Sequence, residues 1–212
     1  MMRLRAYFVG VGLLLLSTSV QAQRAVPVLL EGEVGVERFS DAAVRSVFPV
    51  GANLRLGPAF VMASEGRLRL RPQVGLKLFL NEIEEGLTEH LLFFKLGGQV
   101  CYDLFYIGQT TFFPYVAAEF NWVSNFDAER YADDDVSFSE NYLRGSGWSQ
   151  EMGFRVQWRE VFLKAGCEFF NPTLRARQSL IEEDLAAGYV TPESQVFRFH
   201  TLNISIGFSL FP

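Results

Sequence analysis

The sequence predicts an all-β chain: an N-terminal signal peptide followed by an eight-stranded antiparallel up-and-down transmembrane β-barrel. Three observations predict it. Apolar and polar residues alternate with a period of two through most of the 212 residues, and only a strand sorts such a pattern onto two faces. The connections between the alternating segments are short and long in turn. The amino terminus reads as an export leader, and no later segment is apolar for the roughly 20 residues that a spanning helix needs.

The leader has three parts. Arg3 and Arg5 form a positive start, Ala6 to Leu16 an apolar core, and Ser17 to Ala22 a small, polar end. Cleavage is expected after Ala22, making residues 1–22 the signal peptide and residues 23–212 the barrel domain. No Cys follows the cut, so a lipid-anchored lipoprotein is not expected. The exported chain keeps 17 basic and 24 acidic residues, a net charge of −7. That balance argues against nucleic acid as a partner. The 21 Phe, 7 Tyr and 3 Trp supply enough rings to form interfacial girdles.

The strands follow in order. Leu30 to Phe39 carries Glu31, Glu33 and Glu37 on one face, and Val50 to Met62 carries Asn53 and Arg55. In Arg67 to Leu80, Leu68, Leu70, Val74, Leu76, Leu78 and Leu80 oppose Arg67, Arg69, Arg71, Gln73, Gly75 and Lys77. His90 to Leu104 sets Leu92, Phe94, Leu96, Val100 and Tyr102 against Lys95, Gly97, Gln99, Cys101 and Asp103. Pro114 to Trp122 places Glu119 opposite Phe120 and Trp122, and Trp148 to Trp158 places Glu151 and Arg155 opposite Met152, Phe154 and Val156. Val161 to Phe169 sorts Lys164 and Glu168 from Leu163, Ala165 and Cys167, and the last strand sorts Leu202, Ile204, Ile206, Phe208 and Leu210 from Asn203, Ser205 and Ser209.

With the first strand starting in the periplasm, the tight turns Ala63 to Gly66, Ile107 to Thr111 and Arg159-Glu160 fall inside. The longer connections Ser40 to Pro49, Asn81 to Thr88, Ser124 to Gly147 and Asn171 to Gln195 fall outside, as in outer-membrane barrels. Trp148 and Trp158 stand ten residues apart. At roughly 3.3 Å per residue and a tilt near 40°, that is about 25 Å along the barrel axis, the height of the apolar band. Trp122, Trp148 and Phe169 are therefore expected in the outer aromatic girdle, and Tyr102, Trp158 and Phe208 in the periplasmic one.

This pattern resembles the small eight-stranded outer-membrane barrels, the OmpA/OmpX-like barrels and the "outer membrane protein beta-barrel domain" proteins of Bacteroidota, over Leu30 to Phe211. The resemblance implies a barrel inserted by the barrel assembly machinery, with Phe211 of "LNISIGFSLF" as the aromatic assembly signal, although Pro212 follows it. It implies no cofactor and no peptidoglycan-binding domain. Lipid and lipopolysaccharide of the outer membrane are the expected surroundings, and loops 124–147 and 171–195 the surfaces for an unidentified external partner.

The inward parity carries nine basic residues (Arg55, Arg67, Arg69, Arg71, Lys77, Lys95, Arg155, Arg159, Lys164) and seven acidic ones (Glu31, Glu33, Glu37, Asp103, Glu119, Glu151, Glu168). Eight strands leave an interior just wide enough for side chains, so these charges are expected to pair into a plug. The alternative is a narrow pore. Lipid A deacylase barrels place His, Ser and Asn in order; here His200 is followed by Leu202 and Asn203, so the nucleophile is missing and catalysis is not expected. Asp133, Asp134 and Asp135 lack the ligand order of a calcium loop, and no metal site is expected. Ser179 and Glu182 predict a capped helix from Leu180 to Ala187, closed by Gly188. Cys101 and Cys167 fall on opposite faces of non-neighbouring strands and are expected free.

The function expected is a non-enzymatic outer-membrane barrel, structural or acting through surface loops. An accessory barrel for secretion or assembly is the second reading, ahead of a lipid-modifying enzyme. A soluble lipocalin-like binder would share the strand count but turn the apolar face inward.

Overall fold

In the computed structural model, residues 28–62, 67–130, 136–138 and 142–210 are described. The expected leader, the Ala63 to Gly66 turn, Asp133 to Asp135 and Phe211 lie outside them. The elements are β1 (Val28–Phe39), α1 (Ala42–Val47), β2 (Gly51–Met62), β3 (Leu68–Glu84), β4 (Leu87–Tyr102), β5 (Phe105–Ile107), β6 (Thr110–Arg130), β7 (Val136–Phe138), β8 (Leu143–Trp158), β9 (Val161–Phe169), β10 (Thr173–Ala176), α2 (Gln178–Ala186), β11 (Ser194–Val196) and β12 (Thr201–Leu210). Eight of them (β1, β2, β3, β4, β6, β8, β9 and β12) pair antiparallel in a ring. The ring closes where β12 pairs β1, from Leu30↔Leu210 to Phe39↔Thr201. Closure leaves no long unpaired edge, which a barrel spanning hydrocarbon requires.

The two parities separate by exposure in the sense opposite to a water-soluble barrel. On β12, Asn203 and Ser205 are buried, while Leu202, Ile204 and Ile206 are more than half exposed. On β3, Lys77 is 3% exposed and its neighbour Leu76 44%. An exterior of Leu, Val, Ile and Phe around a polar interior is stable only against an apolar solvent. This excludes the lipocalin-like alternative and makes the chain a transmembrane β-barrel.

The strands run further than the sequence suggests. The Asn81 to Thr88 connection is strand almost throughout: β3 and β4 pair out to Glu84↔Leu87 around Glu85 and Gly86, with Gly86 at φ 88°, a conformation glycine adopts at no steric cost. The 124–147 connection is mostly the tips of β6 and β8 with β7 laid against β6, and the 171–195 connection contains β10 and α2 and ends in β11. Polar side chains at these tips broke the alternation while the backbone ladder continued, because hydrogen bonding does not depend on which face is apolar. Short α1 occupies the first connection, with Asp41 accepting from the Ala43 and Val44 amides. Helix α2 begins at Gln178 after Arg177, and Ser179 does not cap it; instead Gln178 Nε2 donates to Glu182 Oε1 at 3.1 Å. Gly188 follows with φ 84°.

The inner wall fits by pairing large against absent side chains. Tyr115 on β6 faces Gly153 on β8, which faces Gly166 on β9. The Tyr115 ring reaches across both glycines to donate to Glu151 Oε1 at 2.7 Å. A Cβ at Gly166 would lie 2.1 Å from Tyr115 Oη, and one at Gly153 2.8 Å from it. We expect Gly166→Ala to destabilise the barrel by about 1–3 kcal/mol, the usual cost of overpacking. In a Tyr115→Phe background, which removes the nearest clashing atom and leaves Met152 O at 2.8 Å, the same change should cost less. Urea unfolding of the two single variants and the double variant from lipid vesicles measures the coupling.

Candidate functional site

The lumen is the chemically distinctive part of the molecule. Period-two geometry turns every second residue of a barrel strand toward it, and seven of the eight strands supply at least one buried charge. Among the described residues, six cations (Arg55, Arg71, Lys77, Lys95, Arg155, Lys164) and six glutamates (Glu31, Glu33, Glu37, Glu119, Glu151, Glu168) are all 3% exposed or less. They form one connected network in three tiers.

Nearest the tight-turn end, Arg155 donates to Glu31 from Nη1 and Nη2, each at 2.7 Å, and lies 3.7 Å over the Phe162 ring. In the middle, Glu33 receives Arg55 at 3.0 Å, Arg71 at 2.8 Å and Lys164 at 3.0 Å. Arg55 also reaches Glu151 at 2.6 Å, and Lys164 reaches it at 3.1 Å. Above these, Lys77 bridges Glu37 and Glu168, while Lys95 bridges Glu168 at 2.9 Å and Glu119 at 2.5 Å. Charges shared among several unlike partners satisfy more donors and acceptors than isolated pairs would, which is how buried charge is tolerated.

Of the sixteen charges singled out by parity, twelve meet in this network. Arg69 does not; it is half-buried at the turn end, 3.6 Å from Asp103 and donating to Gln157 at 3.0 Å. Arg67 and Arg159, counted inward from sequence, are exposed at that same rim. Their removal corrects the inward tally to seven cations and seven carboxylates, so no excess of positive charge remains in the lumen. Both sit at strand ends, where a turn releases a side chain from the pleat.

A second layer was not legible as such. Toward the end bearing the long connections, Phe39, Phe79, Leu91, Phe93, Val123, Phe170, Leu174 and Phe199 form a buried apolar cluster with Phe48. Phe39 stacks on Phe79 at 4.2 Å. These residues share the parity of the charges below them. The signal was present in "KLFLN" and "HLLFFK", where alternation gives way to apolar residues on both faces. Over this cluster an open cleft of about 540 Å³ lies between α1 and residues 195–199, with Glu89 and Asn125 on its wall.

The predicted girdle residues all point outward. Trp122, Trp148 and Phe169 are exposed toward the long-connection end, where Phe120 contacts Trp122 at 4.8 Å and Trp148 at 5.5 Å. Tyr102, Trp158 and Phe208 are exposed toward the other. His200 points outward and its Nε2 meets Asn171 Oδ1 at 3.0 Å, whereas Asn203 is buried on the lumen side. The two residues matched to a catalytic pattern therefore stand on opposite faces of the wall. Cys101 is buried in the lumen beside Gln99, Cys167 is half-buried on the outer face, and both are free.

Fold and lumen together define the class: a small transmembrane β-barrel with a filled, charge-balanced interior. No protein-family model matches the chain, and no curated protein matches it. Solved structures share its outline. Neisserial surface protein A is 15% identical over 87% of this chain and 97% of its own, with a TM-score of 0.45. A major outer membrane protein from Thermus thermophilus is 15% identical over 86% and 99%, at 0.44. Ail, the attachment invasion locus protein of Yersinia pestis, is 5% identical over 87% and 99%, at 0.46. The class assignment rests on strand closure and inverted burial in this chain rather than on these likenesses.

Glu33 is the carboxylate on which three cations converge. Glu33→Ala should therefore cost about 3–5 kcal/mol, the range for breaking a buried ion pair from one side. Glu33→Gln, which keeps the shape and one acceptor, should cost less. Denaturant midpoints in the same vesicles rank the variants.

Proposed function

We propose that this chain is a non-enzymatic outer-membrane barrel that acts from its outward end, in a structural or surface-interaction role. The observation that carries the reading is the sealed lumen: twelve mutually paired buried charges, capped by an apolar cluster, leave the interior filled with protein. A barrel without a passage must work through its rim. Among the described residues one end carries α1, β7, β10, α2 and β11, while the other carries only the three-residue β5 and turns as short as Arg159-Glu160. Longer outer loops and short periplasmic turns are the habit of such barrels, so the elaborated end is placed outside the cell.

On this reading residues 1–22 are the export signal and Phe211 marks the chain for the barrel assembly machinery. Outer-membrane lipid and lipopolysaccharide surround the apolar wall between the two aromatic girdles. The surface spanning 124–147 and 171–195 meets an external partner.

Planar-bilayer recordings of the refolded protein test the closed lumen. They should show little steady conductance at neutral pH. Stable, reproducible unit currents would overturn the reading and return the lumen to a pore.

A further inference from the structure

One row of side chains on the outward face is charged without compensation among the described residues. Ser124 on β6 stands opposite Arg144 on β8, Arg144 opposite Arg175 on β10, and Arg175 opposite Ser194 on β11. Both arginines are exposed. Neither has a carboxylate within ion-pair distance among the described residues, unlike every cation of the lumen. Cross-strand neighbours lie about 4.5–5.5 Å apart at Cβ, and like charges directly opposite destabilise a sheet. An anion lying between the two guanidinium groups would relieve that repulsion. Hydroxyls flank them: Ser146 and Thr173, themselves opposite one another, form the next outward row, and the shielded Ser124 Oγ has no hydrogen-bond partner.

Height identifies the anion. Arg144 lies four residues beyond Trp148 on the same face of β8, about 10 Å further along the barrel axis at the usual rise and tilt. Trp148 is 67% exposed and Trp122, one row nearer the arginines opposite Ser146, 44%; such rings mark the edge of the hydrocarbon. The arginines therefore stand at the level of lipid headgroups, with acyl chains below them against Phe120, Met152 and Phe154. Guanidinium groups bind phosphate oxygens bidentately, and adjacent hydroxyls complete the set.

We propose that Arg144 and Arg175 form a binding site for the phosphomonoester headgroup of an outer-leaflet lipid. The inference rests on the reading that this end of the barrel faces outward. The site recognises a phosphate delivered by a membrane-anchored molecule, so the acyl chains lie along the apolar wall while the headgroup bridges the two arginines.

Thermal unfolding of the refolded protein in maltoside micelles tests it, with micelles doped with phosphatidic acid or with diacylglycerol of the same chains. Phosphatidic acid should raise the midpoint, because a ligand of the folded state stabilises it, and diacylglycerol should not. R144Q/R175Q should lose most of that rise and, in lipid-free micelles, melt no lower than the native chain, since the repulsion is gone. Arg159→Gln, at the opposite rim, should keep the full rise. Retention of the rise in R144Q/R175Q would overturn the site. So would a lower melting point of that variant without lipid, which would show an internal partner for the arginines. Inorganic phosphate at equal concentration should have no effect; an equal rise would overturn the lipid assignment in favour of a soluble anion. Conductance measured on the same preparation separates the two claims: currents sink the closed-lumen reading and leave the melting comparison intact.

Discussion

The interior of an eight-stranded barrel has room for side chains and little else, and every charge placed there must be neutralised by another side chain. The rest of this structure depends on that constraint. Arg55 reaches Glu33, Glu119 and Glu151, and comes within 3.9 Å of Glu37, so carboxylates from β1, β6 and β8 are held by one guanidinium from β2. The network thereby ties strands that are not neighbours in the hydrogen-bonded ring. Lys77 on β3 and Lys95 on β4 do the same across the barrel to Glu168 on β9. Backbone ladders fix each strand to the next; the charges fix the cross-section.

Filling that cross-section sets the rest of the inner wall. Where a long side chain crosses the lumen, the strand it crosses carries glycine, as Tyr115 does over Gly153 and Gly166. At the turn end, Arg69 and Arg155 lie 4.4 and 5.5 Å from the centre of the Phe113 ring, which passes the interior from charge to aromatic packing. At the opposite end the change is sharper, because the Phe39–Phe79–Phe93–Phe199 cluster stands directly above Lys77. Apolar material on both faces there means that the outer mouth is closed by packing as well as by charge.

The eight-strand barrel was legible because period two, strand count and alternating connection length all agree, and each reflects the same pleat. Inward charge was legible for the same reason: parity alone brought Glu33, Arg55 and Lys164 to one face. Parity does not report where a strand ends, so Arg67 and Arg159 were counted inward although turns release them. It also cannot recognise an inward residue that is apolar, which hid Phe79 and Phe93. The structured connections were illegible for a third reason. β10 and β11 are short and mixed in polarity; the β8 edge continues past the apolar band and offers hydrogen bonds to β10, and β11 pairs in turn on β10. The pairing of Arg144 with Arg175 follows from that register and leaves no trace in either segment alone.

The central claim is that this barrel is inverted, with charge inside and apolar side chains against lipid. Two single substitutions on β3, three residues apart and on opposite parities, test it most directly: Leu76→Trp, at a position 44% exposed, and Phe79→Trp, at one fully buried. In vesicles whose lipids carry bromine at mid-chain, the added fluorescence of the first should be strongly quenched and that of the second nearly untouched. Equal quenching at both positions, or stronger quenching at 79, would contradict the account.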